Sequence, residues 1–322
     1  MSPHAMGTVE RLRPAADELF RREVIEGLSA RPRAISPRWF YDRRGSELFE
    51  EITCLPEYYL TRAERSLLQE HAGEIAHLAG PGRTLIELGS GSSVKTALLL
   101  ETLGASAYVP IDISADFLRE SAARLARHFP GLPIHPVATD FMRPFSLPPV
   151  VRDTARLAYF AGSTIGNMAV PVSVDFLRNI ARTLGANSQL LIGIDRIKDP
   201  QRLLAAYDDA QGVTAQFNLN LLHRINRELR ANIPIGDFRH VARWNDYEAR
   251  IEMHLEAQRQ VDFTIDGREF RIAQGETIHT ENSLKYGPRD ARVLLRAGGW
   301  SPLAEWTHQD DEFALILASP AP

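Results

Sequence analysis

The sequence predicts an α/β protein with a mainly parallel sheet covered by helices on both faces, followed by a second lobe of α+β type. Apolar, β-prone runs alternate with helical segments from residue 84 to residue 194, which is the pattern of a parallel sheet. These runs are nearly continuous in their apolar character, as expected of strands buried on both faces. After Asp195 the alternation gives way to two helices, two strands and a hairpin, and this change indicates the second lobe.

Each predicted element follows from its local pattern. Before the alternating region we expect helices at residues 15–28, 45–53 and 61–78, the last opened by a capping box of Thr61 and Glu64. The alternating region is predicted to contain strands 84–88, 107–112, 134–139, 157–161 and 188–194 with helices 94–103, 114–128 and 172–184. The second lobe is predicted to contain helices 199–207 and 213–231, strands 238–244 and 250–257, and a hairpin, 261–272, turned by Asp266-Gly267. A final helix and two strands, 288–298, 302–308 and 312–318, are expected to complete the first sheet.

The composition is that of a globular protein, with 44% hydrophobic and 24% charged residues. The 37 basic and 41 acidic residues give a net charge of −4, and no basic run is long enough to follow a phosphate backbone, so we expect no nucleic-acid partner. No apolar run reaches the ~18 residues of a membrane span, and residues 1–14 lack the layout of a signal peptide. We therefore expect a cytoplasmic protein without a membrane partner, and a monomer. The single cysteine, Cys54, and the histidine spacings predict no metal site.

The turn after the first predicted strand is the predicted cofactor site. Gly89 and Gly91 allow a tight turn and a close approach of the backbone to a ligand, and the next helix offers free N–H groups. Glu87 precedes the glycines, and Asp112 ends the next strand, where it can accept hydrogen bonds from ribose hydroxyls. Val94 stands where a dinucleotide fingerprint has a small residue, so the motif resembles class I S-adenosylmethionine-dependent methyltransferases more than NAD enzymes. A Gly-rich turn of any α/β protein is the alternative.

Ligands of parallel sheets bind outside the carboxyl ends of the strands, and this rule brings Gly89, Asp112, Asp140 and the loop 161–167 together. This loop is not a nucleophile elbow, because a threonine occupies the position of the serine. Its last residue, Asn167, can donate to a carboxylate and accept from an amine at once. A structural loop residue is the alternative interpretation.

Glu281 and Ser283 alternate in a stretch that changes from apolar to polar, so both side chains could point to the same face of a strand. A glutamate and a serine on one face suit a nitrogen heterocycle. The alternative is a solvated edge strand.

With these motifs, the sequence resembles the L-histidine Nα-methyltransferases of ergothioneine biosynthesis, which convert histidine to its trimethyl betaine, hercynine. The resemblance covers roughly residues 20 to 320. It is carried by residues 37–42, 45–49, 55–59, 61–64, 87–91, 162–167, 206–209, 212–218, 226–229, 240–245, 251–253 and 280–285. Two positions depart from the family pattern: Leu60 stands where a proline is expected, and Val94 where a charged residue is common.

The resemblance implies a Rossmann-like class I methyltransferase core, residues 62–197 plus 286–322, and a substrate-binding lobe, residues 1–61 plus 198–285. It implies S-adenosylmethionine as the cofactor, S-adenosylhomocysteine as its product, and L-histidine as the substrate. The implied cofactor-binding residues are Glu87, Gly89, Gly91, Lys95, Asp112, Asp140 and Phe141, with Asp112 on the ribose and Asp140 near the adenine. The implied substrate-binding residues are Tyr41, Tyr58, Asn167, Tyr207, Met253, Glu281 and Ser283.

The substrate residues have separate implied roles. Tyr58, Asn167 and Tyr207 hold the carboxylate and the amine, while Glu281 and Ser283 bind the imidazole. Met253 shapes the pocket wall, and Tyr58 and Asn167 are the catalytic candidates because they orient the amine lone pair.

Two rival functions are weighed against this one. A methyltransferase of the same family could act on another amine, such as a tryptophan derivative, and Glu281 with Met253 speaks against that substrate. A non-catalytic sensor of S-adenosylmethionine would not need Asn167 and Tyr207.

Overall fold

A computed structural model describes residues 15–91, 95–151 and 153–321 of the chain. The predicted helix start at Val94 and the segment 1–14 lie outside the described residues. The described α-helices are α1 (Ala15–Ser29), α2 (Arg43–Thr53), α3 (Tyr59–Ala79), α4 (Thr96–Leu103), α5 (Ala115–His128), α6 (Val170–Leu184), α7 (Pro200–Tyr207), α8 (Val213–Glu228) and α9 (Pro288–Ala297). Single-turn 3₁₀ helices span Pro37–Phe40, Pro149–Val151, Thr164–Asn167, Ile235–Asp237 and Gln309–Asp311.

The described strands form three sheets. They are β1 (Arg33–Ala34), β2 (Thr84–Leu88), β3 (Ala107–Asp112), β4 (Val137–Ala138), β5 (Arg156–Phe160), β6 (Ser188–Asp195), β7 (Phe238–Asn245), β8 (Arg250–Ala257), β9 (Val261–Ile265), β10 (Arg268–Ile272), β11 (Thr277–Leu284), β12 (Trp300–Thr307) and β13 (Phe313–Pro320).

The main sheet has seven strands in the order β12-β13-β6-β5-β2-β3-β4. The strands from β6 to β4 pair in parallel, and the C-terminal strands β12 and β13 extend the sheet in antiparallel fashion beside β6. This arrangement confirms the predicted α/β class and the predicted return of the C-terminal segment to the first sheet. All residues of β2 and β6 are buried, as their apolar sequences predict.

Helices cover both faces of this sheet, so each strand contributes alternate side chains to two cores. Leu85 of β2 packs in a core with α3 and α4, while its neighbour Ile86 packs in a second core with α6 and α9. The carboxyl ends of β2, β3 and β5 are thereby left open at one edge, where the predicted site lies.

The second sheet has four strands in the order β1-β11-β8-β7, with β11, β8 and β7 antiparallel. Its register sets Glu281 opposite Met253 and Ser283 opposite Ile251. Ser283 is buried, so the alternative of a solvated edge strand does not apply to it. The predicted hairpin forms β9 and β10, and its turn residues Asp266 and Gly267 have φ values of 48° and 81°. Both positive values fit the predicted type I′ turn.

The prediction of a capping box at Thr61 is wrong, because α3 begins two residues earlier, at Tyr59. Thr61 therefore lies inside the first turn of the helix, and Glu64 is free for another role. The Glu64 side chain is fully buried and accepts hydrogen bonds from the backbone N–H of Gly162. The contact with Gly162, and not a role at the helix terminus, sets the position of this carboxylate.

Each of the two larger sheets falls in one of the predicted lobes. The seven-stranded sheet is drawn from residues 84–195 and 300–320, and the four-stranded sheet from residues 33–34, 238–257 and 277–284. The exact boundaries of the two lobes stay a prediction. None of the helices in the three described ranges is both long and apolar enough to cross a membrane.

Candidate active site

The turn after β2 has the backbone shape that its glycines predict. Gly89 and Gly91 have φ values of 71° and 50°, which favour glycine over residues with a side chain. A Cβ atom added at Gly89 would lie 3.4 Å from Cε1 of Phe141. The ring of Phe141 thus lies against the turn, within van der Waals contact of a side chain added at Gly89.

Asp112 at the end of β3 holds this turn in place. Its Oδ2 accepts a hydrogen bond from the Gly91 N–H at 3.0 Å, and its Oδ1 accepts one from the Ser114 N–H at 2.9 Å. Burial raises the pKa of Asp112 above its usual value, and the backbone donors partly oppose that rise. Each carboxylate oxygen can accept a second hydrogen bond, so Asp112 has the capacity to bind ribose hydroxyls.

Glu87 lies beneath the turn. Its Oε1 accepts a hydrogen bond from Thr96 Oγ1 at 2.5 Å, and its Oε2 accepts one from the hydroxyl of Tyr108. Burial raises the pKa of Glu87 to about 7, although both donors lower it. The carboxylate therefore joins β2, β3 and the start of α4, and its predicted cofactor role would act through the turn that it supports.

Lys95 connects the turn to the loop after β5. Its ammonium group pairs with the buried carboxylate of Glu64, which also accepts the Gly162 N–H at 3.0 and 3.1 Å. Glu64 is thus a site residue that the sequence analysis missed, because the capping-box pattern assigned it to the helix terminus.

Asp140 and Phe141 follow β4 on the adenine side of the predicted site. Asp140 Oδ2 accepts a hydrogen bond from Arg38 Nη1 at 2.9 Å, and its Oδ1 accepts the Met142 N–H at 3.0 Å. The ring of Phe141 packs edge to face against Phe160, with centroids 5.7 Å apart. Arg38 precedes α2, so the N-terminal segment reaches the cofactor side of the site.

The predicted substrate residues lie around the end of β11. The hydroxyl of Tyr207, the last residue of α7, is 2.7 Å from Ser283 Oγ. The rings of Tyr58 and Tyr207 meet edge to face with centroids 6.2 Å apart. Met253 is buried beside Glu281 in the β8–β11 ladder, where it can form the pocket wall.

Glu281 carries a buried acceptor with no partner. Its Oε2 accepts no hydrogen bond from any described residue. Burial raises the pKa of this carboxyl to about 7, and the nearby ammonium group of Lys285 lowers it only in part. An unsatisfied buried acceptor costs about 1–3 kcal/mol, so a ligand N–H placed there would recover that free energy.

Tyr41 lies between the two predicted binding sites. Burial raises its pKa well above the usual value, and the negative charges of Glu281 and Asp112 raise it further. The Tyr58 hydroxyl has a similarly raised pKa, again mainly because of burial. Both phenols therefore stay protonated at neutral pH and can donate hydrogen bonds.

Asn167 ends the single-turn helix of the loop after β5. A Cβ atom added at the preceding Gly166 would lie 2.7 Å from the Leu284 carbonyl oxygen, so only glycine permits this close packing of loop and strand. The contact packs the loop that ends at Asn167 against the end of β11. Ser163 fixes the other end of the loop, since its Oγ accepts the Asp195 N–H at 2.9 Å.

A buried charge network behind the pocket was not predicted. Asp195 Oδ2 is 2.7 Å from Lys285 Nζ, and Asp195 Oδ1 is 2.6 Å from Lys198 Nζ. Burial alone would raise the pKa of Asp195, but the two ammonium groups outweigh it and the pKa is lowered. The alternation of Glu281, Ser283 and Lys285 was a signal for the lysine, because every second residue of a strand shares a face.

Residues 20–320 match the protein family described as histidine-specific, S-adenosylmethionine-dependent methyltransferases. The chain belongs to this family. A member from Mycolicibacterium smegmatis, named histidine N-alpha-methyltransferase, is 42% identical over 311 residues, which cover 94% of this chain and 96% of that protein. The protein of the same name from Mycobacterium tuberculosis is 43% identical over 310 residues, with 93% and 94% coverage. Ergothioneine biosynthesis protein 1 of Neurospora crassa is 32% identical over 294 residues, which cover 89% of this chain and 33% of that larger protein.

Membership of this methyltransferase family confirms the predicted family, the enzyme class and the cofactor S-adenosylmethionine. The methyltransferase core is the seven-stranded sheet with its helices. No group of three or more metal-binding side chains is found within the described ranges. The roles of individual residues stay predictions.

Proposed function

We propose that this methyltransferase transfers three methyl groups to the α-amino group of L-histidine and gives hercynine, the first step of ergothioneine biosynthesis. The observation that carries the proposal is the buried Oε2 of Glu281, which has no hydrogen-bond partner in the described part of the chain and lies two positions from Ser283 on β11. A neutral imidazole has one N–H donor and one acceptor nitrogen, so it needs both an acceptor and a donor from its pocket. Glu281 supplies the acceptor, and a hydroxyl supplies the donor.

The protein contributes to catalysis mainly by aligning the substrate amine with the methyl group of the cofactor. Bound S-adenosylmethionine supplies an electrophilic methyl group on a positively charged sulfur. The turn at Gly89 and Gly91, with Asp112, Asp140 and Phe141, would hold it at the ends of β2, β3 and β4. Asn167 and Tyr58 would orient the lone pair of the amine toward the methyl carbon. Such positioning can contribute several kcal/mol to the lowering of a reaction barrier.

The amine must lose its proton before each transfer, and the nearest phenols are not bases. The raised pKa values of Tyr41 and Tyr58 keep both hydroxyls protonated. We therefore assign them hydrogen-bonding roles, and propose that the proton leaves through solvent or a pocket water.

One experiment tests the substrate directly. The protein is incubated with S-adenosylmethionine and a mixture of the twenty amino acids, and the products are analysed by mass spectrometry. We expect histidine to gain three methyl groups while the other amino acids stay unmodified. Comparable methylation of tryptophan would contradict the proposal and favour the rival amine substrate, and the absence of any methylation would favour a sensor.

The two predicted lobes fit the same proposal, because the candidate substrate residues come from both. Asn167 belongs to residues 62–197, whereas Tyr207 and Ser283 belong to residues 198–285. We also propose a monomeric protein of the cytoplasm that binds neither nucleic acid nor membranes. Light scattering during gel filtration should give the mass of one 36.1 kDa chain, and a mass twice as large would contradict the monomer.

A further inference from the structure

We propose that Lys285 is a positioning residue for the substrate pocket, and that it directs the hydroxyl proton of Ser283 toward the acceptor nitrogen of the substrate ring. Lys285 itself does not contact the substrate in this proposal. The inference rests on the proposed function for the identity of the ring.

The geometry around Lys285 uses all of its hydrogen-bonding capacity. The Lys285 side chain is 0% exposed, and its Nζ lies 2.7 Å from Asp195 Oδ2. The same nitrogen donates to Ser283 Oγ at 2.8 Å and to the Tyr207 hydroxyl at 3.0 Å. An ammonium group has three N–H donors and no acceptor, so these three partners account for every proton on Nζ.

This arrangement fixes the direction of the hydroxyl protons. Because Lys285 can only donate, Ser283 and Tyr207 must both accept from it. Their oxygens are 2.7 Å apart, which places one further O–H between them. Two hydroxyls have two protons, so one proton is used between them and one is left to donate outside the group.

The remaining proton belongs to Ser283. A phenol is a stronger acid than an aliphatic alcohol, so the Tyr207 O–H is the better donor to Ser283 Oγ. The Ser283 O–H then points away from this trio, on the strand face that it shares with Glu281. The pocket therefore offers one donor at Ser283 and one acceptor at Glu281 Oε2, a pattern that matches imidazole and not indole, which has a donor only.

The need to neutralise the charge of Asp195 does not by itself explain why a lysine occupies position 285. Asp195 Oδ1 already has Lys198 Nζ at 2.6 Å, and it also accepts a hydrogen bond from the Tyr59 hydroxyl at 2.9 Å. Lys198 donates to Asp195, to Tyr59 and to a backbone carbonyl, and it makes no hydrogen bond to Ser283 or Tyr207. Lys198 is thus a matched control, since it contacts the same carboxylate without contacting the pocket hydroxyls.

The test compares Lys285→Met with Lys198→Met. Calorimetry on protein saturated with S-adenosylhomocysteine measures the affinity for histidine and for a pyrrolylalanine, whose ring keeps an N–H but has carbon in place of the acceptor nitrogen. The wild type should bind histidine more tightly. Lys285→Met should reduce that preference roughly tenfold, because histidine binding should weaken more than pyrrolylalanine binding, whereas Lys198→Met should leave the preference unchanged.

A second variant keeps the proposal testable if Lys285→Met does not fold. Asp195→Asn combined with Lys285→Met removes one negative and one positive charge together, which keeps the net charge of the group that includes Lys198, and should show the same loss of preference. An unchanged preference in the variants that lack Lys285, or an equal loss in Lys198→Met, would overturn the inference. If the wild type itself does not bind histidine, the proposed function fails, and this outcome is distinct because it appears before any substitution is made.

Discussion

The carboxylate of Glu64 accepts the backbone N–H of Gly162 with both oxygens, at 3.0 and 3.1 Å, across 98 residues of sequence. The same carboxylate pairs with Lys95 at the start of α4. One buried side chain of α3 therefore joins the predicted cofactor turn to the loop that carries Asn167. The two segments that carry the predicted binding sites thus share one structural contact.

Glu64→Gln should weaken both connections. The substitution removes the charge opposite Lys95 and leaves a single acceptor for Gly162, so we expect a loss of about 2 kcal/mol in the free energy of unfolding. Affinity for S-adenosylhomocysteine should fall as well. Urea denaturation and calorimetry measure the two effects, with Glu70→Gln on the exposed side of the same helix as the control. Unchanged values for Glu64→Gln would show that the link is dispensable.

Asn167→Ala should collapse turnover while it leaves the cofactor affinity nearly intact. The reason is that Asn167 is assigned to the substrate carboxylate and amine, and the cofactor turn belongs to other strands. Steady-state kinetics give kcat, and calorimetry gives the affinity for S-adenosylhomocysteine. A loss of cofactor affinity with normal turnover at saturation would indicate that Asn167 binds the cofactor and not the substrate.

Gly89→Ala should reduce cofactor affinity at least tenfold. The new methyl group meets Phe141 Cε1 at 3.4 Å and also requires a φ of 71°, which costs a non-glycine residue on the order of 1 kcal/mol. Gly275→Ala is the matched control, because Gly275 has a φ of 78° with no atom within 4 Å of the added Cβ. Both variants have the backbone strain, so a cofactor defect in Gly89→Ala alone assigns the effect to the turn after β2 and its contact with Phe141, and equal affinities in the two variants would contradict the prediction.

Glu281→Gln should stabilise the protein and weaken histidine binding. Burial raises the pKa of Glu281 from 4.5 to about 7, so the folded chain holds this proton more tightly than the unfolded chain. Stability from this group is therefore complete below pH 4.5 and is lost as the pH rises through 7. The substitution should raise the free energy of unfolding at pH 8 by on the order of 3 kcal/mol, with a smaller gain near pH 5.

Two measurements check the Glu281 prediction. Urea denaturation at several pH values gives the stability, with Glu269→Gln on the exposed β10 as the control. Calorimetry should show a loss of histidine affinity of roughly tenfold to a hundredfold, because a hydrogen bond to a charged group is removed. Lower stability at pH 8 would mean that the carboxylate has a structural partner and is not reserved for a ligand.

The sequence predicts the main sheet well because its strands are long apolar runs that end at small or acidic residues. Strands β2 and β3 match their predicted bounds. The predicted strand 134–139 is reduced to Val137–Ala138 with a single bridge at Ile134. Pro136 lies between them, and a proline has no N–H to donate to a ladder.

The site is predicted less completely, and the missing residues share one physical property. The rule for strand ends and the family resemblance place Gly89, Asp112 and Asn167 at the same edge of the sheet. Glu64, Asp195 and Lys285 are absent from the predicted site because the buried pairs Glu64–Lys95 and Asp195–Lys285 join residues that are distant in sequence. The alternation with Ser283 indicates the face of Lys285, but no local pattern shows that Asp195 lies opposite it before the fold is known.

The alternation of Glu281, Ser283 and Lys285 has a consequence for how an acceptor is chosen within this fold. Glu281 and Ser283 share one face of β11 and are the two proposed ring contacts, while Lys285, just after the strand, orients Ser283. A change of acceptor would need substitutions at these alternate positions, while the cofactor site at the seven-stranded sheet could stay unchanged. Substitutions in this segment, together with Met253 on the neighbouring strand, are therefore expected to change which amino acid is accepted.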